Sequence, residues 1–399
     1  MIFLTINKGE NMNNKKETIM IMVMIFLATI IVRVYCFPLL SGDYVNFLEP
    51  WVEEIREKGG FAALKEPLGN YNIPYIIILI LISYLKCEPL IPIKIVSIIF
   101  DFICAFATYK IVNKITNNKN TAMAFSVLVL WLPTVIMNGA LWGQCDSIYG
   151  AFVLLAIYYL MENKNIRAFV MLGLAFAFKL QAVFILPLFV LLLFRNKDVK
   201  WYYFFIPIGI VLLAGMPAVI AGQSITSVLG IYGGQVETYN ALTANFPNIY
   251  SIIIKFPFAE EYNGLITIIG ILVTMLVYFA IWLVVLIKKV NFDEKKILLV
   301  GLWSIIIATF LLPRMHDRYM YIADILSVIW LVVNNKNKLL PLMINLTSTI
   351  TYLGFLFFGE GDYSAWAVIY TLTVIEFTVY VFRVLLDKKK LDEVVEKII

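Results

Sequence analysis

Four short stretches put reactive side chains beside long apolar runs. They are Gly42-Asp43, Trp142-Gly143-Gln144-Cys145-Asp146-Ser147, Lys179-Leu180-Gln181, and Pro313 through Tyr319. Polar groups at membrane depth are costly, so each asks for a role. Asp43 follows a flexible Ser41-Gly42. Its carboxylate could be a general base on an acceptor hydroxyl. It could equally be the N-cap of a following helix. His316, the single histidine of the chain, stands between Arg314 and Arg318. Guanidinium and imidazole donors make a clamp for phosphate oxygens. Trp142 could be a residue of the interfacial aromatic belt or, equally, a sugar or acceptor contact. Gln144 and Asp146 beside it could hydrogen-bond sugar hydroxyls, and Gln181 joins them as a sugar or acceptor contact. Lys179 interrupts AFAFKLQAVF. It either snorkels to the outer headgroups, the favoured reading, or pairs with a lipid phosphate. Arg33, Asp101 and Glu376 also fall inside apolar runs. Arg33 and Asp101 are suited to pair across helices as structural glue.

One acid at a membrane rim and a cationic clamp suit sugar transfer from a lipid phosphate. Glycoside hydrolases use two carboxylates, one of them to protonate a poor leaving group. A phosphate leaves readily, its second pKa being about 6. Its departure needs positive charge and no proton donor. One carboxylate to activate the acceptor then suffices, and direct attack inverts the anomeric centre. The four cysteines, Cys36, Cys87, Cys104 and Cys145, have no metal-type spacing. Cys36 and Cys104 read as membrane packing residues, and a Cys87–Cys145 disulfide stays open. No metal and no cofactor are expected.

The elements that must hold these residues are transmembrane helices. Of 399 residues, 61% are hydrophobic and 15% charged, and the mean hydropathy is +0.87. No single soluble core could bury so much apolar surface. Apolar runs near the ~20 residues that cross a bilayer recur throughout. They are continuous and not alternating, which favours helices over a barrel. Spans are expected near 18–38, 90–112, 121–138, 148–161, 168–180, 182–195, 201–221, 264–287, 297–313, 319–333, 339–358 and 365–386. With the first as a retained span, both termini are cytoplasmic. Every inner segment then carries basic residues: Lys15/Lys16, Lys110/Lys114/Lys119, Lys164/Arg167, Arg195/Lys197/Lys200, Lys288/Lys289/Lys295/Lys296, Lys336/Lys338 and Lys388/Lys389/Lys390. That is the positive-inside pattern, and it accounts for the net charge of +5 without nucleic acid. The same topology gathers all four polar motifs on the outer side.

The fold class expected is therefore all-α, a polytopic bundle of about twelve spans, forming one membrane-embedded domain over 1–399 with no separate soluble domain. A first outer loop, 39–89, mixes Phe47, Trp51, Ile55 and Phe61 with charged residues, as an interfacial amphipathic helix does. Ile73 to Leu85 is a short apolar piece read as re-entrant or interfacial. A second large outer loop spans 222–258.

GDYVNFLEPWVEEIREKGGF, GNYNIPY, KIVSIIFDF, LWGQCDSIYGAF, FKLQAVFILP and LPRMHDRYMYIADILS occur in that order along most of the chain. Together they resemble the GT-C class of membrane glycosyltransferases. They look closest to microbial relatives of the second mannosyltransferase of glycosylphosphatidylinositol assembly. The resemblance implies a polyprenyl-phosphate sugar donor, a hexose that is mannose by analogy, and a lipid-linked or envelope glycan acceptor. It implies a monomer in the plasma membrane working on the extracytoplasmic side. By the family pattern Asp43 is the catalytic acid, and Arg314, His316 and Arg318, with Lys179, bind the donor phosphate. Some relatives pair two acids in this first loop, whereas Tyr44 follows Asp43 here. That departure argues against a protein acceptor and a metal requirement.

Two other classes compete. A flippase for lipid-linked sugars needs a polar path through the whole bilayer, and the inner halves of the expected spans are nearly free of ionisable residues. An envelope glycan ligase or polymerase would be favoured by arginines in the second outer loop, and 222–258 contains none.

Overall fold

A computed structural model describes residues 12–237, 241–334, 338–359 and 361–386. Lys336 and Lys388–Lys390, and the side chains of Lys15 and Lys16, lie outside what is described. Among the described residues the fold is all-α apart from two paired two-residue strands. It divides into two compact units. The first comprises Met1–Tyr158, Ala168–Leu180 and Ile206–Gln235, and the second Tyr159–Arg167, Gln181–Phe205 and Val236–Ile399.

The multi-span bundle is what the sequence composition demands. Five helices are long and apolar enough to cross a membrane: Leu90–Thr116, Trp201–Ala221, Asn263–Ile287, Leu339–Phe358 and Ser364–Leu386. A sixth crossing forms if Lys119–Leu130 and Pro133–Trp142, bent by 55°, are taken together. Shorter apolar helices, such as Asp146–Met161, Asn165–Phe178 and Tyr321–Trp330, make up the rest of the apolar runs. The figure of twelve rests on loop charges, and length and composition alone give five or six among the described residues.

Four helices of the first unit matter for the site: α1 (Met12–Tyr35), α2 (Glu49–Glu57), α3 (Ile73–Ser83) and α4 (Leu90–Thr116). A buried ion pair joins α1 to α4, with Arg33 donating to the Asp101 carboxylate at 3.3 and 3.2 Å and to the Leu130 carbonyl at 3.0 Å. The expected structural pairing is thus present. Between α1 and α3 the chain makes an amphipathic helix, α2. Leu48, Val52 and Ile55 are buried, while Phe47 and Phe61 are exposed. A π-helical turn, Tyr44–Leu48, precedes α2 and shifts its phase. Helix α3 starts on Pro74 in its first turn, where a missing N–H costs nothing.

Part of the second expected loop, 222–258, is itself helical: Ile225–Glu237 forms despite Gly230, Gly233 and Gly234. Tertiary hydrogen bonds, worth about 0.5–1.5 kcal/mol each, offset part of the glycine penalty of about 1 kcal/mol per residue. Tyr232 Oη donates to the Phe176 carbonyl at 3.0 Å, and Gln235 Nε2 donates to the Asn70 carbonyl at 2.8 Å. No Cys87–Cys145 bridge forms: Cys145 is buried in the core and Cys87 is exposed.

In the second unit, β1 (Thr243–Ala244) pairs in parallel with β2 (Met315–His316). Helix Glu294–Leu311 leads into β2 and is buried along nearly its whole length from Ile297 to Phe310.

Candidate functional site

Asp43 lies just past the turn that ends α1. It occupies the N-cap position of the π-turn Tyr44–Leu48, yet its φ/ψ of −65°/−34° are helical and its side chain makes no capping bond. The capping alternative is therefore corrected. Ser41 takes that task, its Oγ accepting from the Tyr44 N–H at 3.2 Å while donating to the Trp142 carbonyl at 2.8 Å. The Asp43 carboxylate turns elsewhere. Its Oδ2 accepts from Trp142 Nε1 at 3.1 Å and from Gln144 Nε2 at 2.5 Å.

The two donors are fixed by local backbone geometry. The bent pair of helices ends in a π-helical turn, Met137–Trp142, closed by Gly143 at φ +77°. A left-handed residue there favours glycine. The turn is pinned by Gln144 N–H donating to the Asn138 carbonyl at 2.9 Å. Trp142 and Gln144 are 0% and 2% exposed. Trp142 is consequently not a belt residue at the membrane surface, because it is sealed inside the unit with its indole N–H on Asp43. Asp43 alone of the three is half-exposed.

Behind them lies a second buried group. Asp146 opens helix Asp146–Met161 and is completely buried. Asn138 Nδ2 donates to its Oδ2 at 2.8 Å, and Lys179 Nζ is ion-paired to its Oδ1. Lys179 does not snorkel. It is 5% exposed, and its ammonium lies 5.9 Å from the Tyr71 ring and 5.8 Å from the Tyr149 ring. A buried carboxylate and two ring faces meet the charge that headgroups were expected to meet.

Tyr71 joins the two groups, and no residue-level argument singled it out. Its Oη donates to Gln144 Oε1 at 3.0 Å, orienting the amide so that Nε2 faces Asp43. Its ring stands edge-on to Trp51 at 5.6 Å. Gln235 Nε2, donating to the Asn72 Oδ1 at 3.2 Å, steadies the same segment. The signal was GNYN, a polar aromatic run between an amphipathic and an apolar segment.

The basic cluster is built by backbone in the second unit. Arg314 has φ +62°, left-handed for a residue other than glycine. Its N–H donates to the Leu242 carbonyl at 2.8 Å, and Asp317 N–H donates to the Ala244 carbonyl at 3.1 Å. Exposure alternates along this segment. Pro313, Met315 and Asp317 are buried, whereas Arg314, His316 and Arg318 are half-exposed. His316 lies 5.2 Å from the Tyr319 ring, and Tyr319 lies 6.0 Å from Phe184. Gln181 belongs to this unit, in the 3₁₀ turn Leu180–Ile185, buried and with no hydrogen-bond partner at Oε1.

Asp43, Trp142 and Gln144 are thus in direct contact, Asp146 and Lys179 form the adjoining buried pair, and Arg314, His316 and Arg318 alternate along one strip. Among the described residues no group of three or more His, Cys, Asp or Glu is arranged to hold a metal ion. No curated protein matches the chain. The family model described as glycosyltransferase family 87 matches residues 70–313. That is more than half of the chain, and it includes Trp142, Gln144, Asp146, Lys179 and Gln181. A multi-pass bundle of apolar helices and this match place the chain in one family: it is a membrane glycosyltransferase of family 87.

Proposed function

We propose that the protein transfers a hexose, mannose by resemblance, from a polyprenyl-phosphate donor to a lipid-linked or envelope glycan. Transfer takes place on the extracytoplasmic side of the plasma membrane and inverts the anomeric centre. The observation that carries this reading is Asp43: a half-exposed carboxylate gripped by two buried donors, Trp142 Nε1 and Gln144 Nε2. A base must be pre-positioned and still reachable by substrate.

In the proposed step an acceptor hydroxyl oxygen attacks C1 of the donor sugar. The new C1–O bond forms as the C1–O(phosphate) bond breaks, and its electron pair leaves with the lipid phosphate. The hydroxyl proton passes to Asp43. Arg314, His316 and Arg318 are assigned to the charge of the departing phosphate. Lys179 is assigned to holding Asp146, and Trp142 and Gln144 to holding Asp43. Protein cations suffice for the phosphate, so a chelator leaves the rate unchanged. The outer placement follows from the basic residues of the inner loops.

The test uses the purified full chain and a panel of polyprenyl-phosphate sugars, with a short alkyl mannoside as acceptor. Asp43→Asn inserts and folds normally, and its transfer rate falls by about 10²–10⁴. Full activity in that variant removes Asp43 as base. Transfer from a sugar other than mannose replaces the donor assignment and leaves the mechanism.

A further inference from the structure

Lys94, Ser97 and Asp101 are spaced i, i+3 and i+7 and share one face of α4. All three are buried, at 0%, 1% and 0% exposure, in a helix otherwise rich in Ile and Phe. Asp101 holds α1 through Arg33. One turn and more away, Lys94 Nζ donates to three carbonyls of the turn after α1: Cys36 at 2.9 Å, Phe37 at 3.2 Å and Leu39 at 2.6 Å. Three acceptors use all three protons of an ammonium. Between them Ser97 Oγ donates to the Gln144 carbonyl at 2.6 Å. The stem of Lys94 also borders the Gly143 turn, where an added Cβ would stand 3.8 Å from Lys94 Cγ.

Asp43 is four residues beyond Leu39, and its donor Gln144 follows Gly143. One helix face therefore touches both sides of the Asp43–Gln144 contact. We propose that this buried polar stripe is the template that sets Asp43 against its donors, and that Lys94 is its positioning residue. The proposal rests on Asp43 being the base. Helix capping alone does not explain the arrangement. Neutral donors or water satisfy most helix C-termini, and an ammonium at membrane depth is costly. Arg33–Asp101 already joins α1 to α4. What Lys94 adds is control of the segment between α1 and Asp43, where a shift of about 1 Å can cost about 10²-fold in rate.

The experiment uses the full chain in lipid nanodiscs and reads two signals. The first needs no activity. In a Cys87→Ser, Asp43→Cys background, alkylation at position 43 is timed with Lys94 present and with Lys94→Met. Release of the segment speeds it about tenfold, read at position 43 by peptide mapping, while the buried Cys104 and Cys145, which lie outside that segment, stay protected. The second is turnover with polyprenyl-phosphate mannose and the alkyl mannoside. Lys94→Met lowers kcat about a hundredfold and leaves the donor KM unchanged, a split that loss of folded protein would not give. If Lys94→Met exposes Cys104 or Cys145 as well, Lys94→Gln, which keeps a donor at the site, is read in the same way. An unchanged alkylation rate, or a kcat unchanged, overturns the proposal. A wild-type protein inert towards this donor defeats the donor assignment only, since the alkylation arm still judges Lys94.

Discussion

The carboxylate region and the basic strip solve one problem, holding charge in an apolar protein, by opposite means. Around Asp43 side chains hold side chains: Trp142, Gln144, Tyr71 and the Asp146–Lys179 pair form a network in which most members are sealed from solvent. Around Arg314–Arg318 the backbone does the holding, through a left-handed arginine and a two-residue parallel pairing. A side-chain network fixes one atom accurately and fails when any member is lost. A backbone strip presents several side chains at once and tolerates changes in each of them. The first arrangement suits a base that must reach one proton. The second suits the diffuse charge of a phosphate.

The largest effect that would sharpen this contrast lies behind the carboxylate. Asp146→Asn or Lys179→Met leaves an uncompensated buried charge and lowers stability by about 3–5 kcal/mol. Replacing both with apolar residues together costs less than either alone. Thermal unfolding in detergent checks this, and additive losses would show the pair to be independent. Next, His316→Ala or Arg318→Ala removes one charge-assisted contact worth about 1.5–3 kcal/mol and raises the donor KM about tenfold or more, with unfolding unchanged. A loss of stability in these variants would break the contrast, because the strip would then depend on its side chains. Smaller still, Arg314→Gly relieves a left-handed conformation costing about 1–2 kcal/mol, so it keeps or raises stability while weakening donor use. Arg314→Val lowers both, and equal melting temperatures for the two would refute the backbone account.

The smallest effect belongs to a control pair. Lys255 and Asp362 meet at 2.8 Å and are both solvent-exposed. The Lys255 ammonium, helped by the Ser364 N–H, holds the Asp362 carboxyl down at about 2. The folded form is favoured above the ordinary aspartate range, and that contribution is lost as pH falls from about 4 through about 2. Screening keeps it slight. Asp362→Asn should shift unfolding barely at neutral pH and not at all below about pH 2; a large neutral shift would contradict the exposed geometry.

Much of the architecture could be read from residue order. Continuous apolar runs announced spanning helices, and Arg33 and Asp101, opposite charges inside such runs, announced one another. The neighbours of Asp43 were harder. Trp142 could be read equally as an interfacial residue or a sugar contact, and Lys179 as a snorkelling one, because composition near a membrane edge does not distinguish a side chain facing lipid from one facing protein. Lys94 and Tyr71 were invisible for the related reason that their partners lie tens of residues away and are mostly backbone atoms or an amide. The β1–β2 pairing escaped notice because two residues carry no periodicity to detect. The span count was less legible, because loop charges point to about twelve while length and composition give five or six among the described residues, bends and short helices dividing the same apolar sequence differently.

The wide turn at Met137–Trp142 has one more consequence, which concerns chain length. A π-turn holds one residue more than an α-helix would spend on the same arc. Deleting a residue from the ordinary α-helical stretch before it, Pro133–Ile136, where no wide turn absorbs the change, would rotate everything beyond by about 100°. Trp142 and Gln144 would then point away from the carboxylate, with every side chain still in place by name. In this enzyme the spacing between Pro133 and Gly143 is itself inherited information. Drift at individual positions of that segment should be tolerated far better than a change in its count.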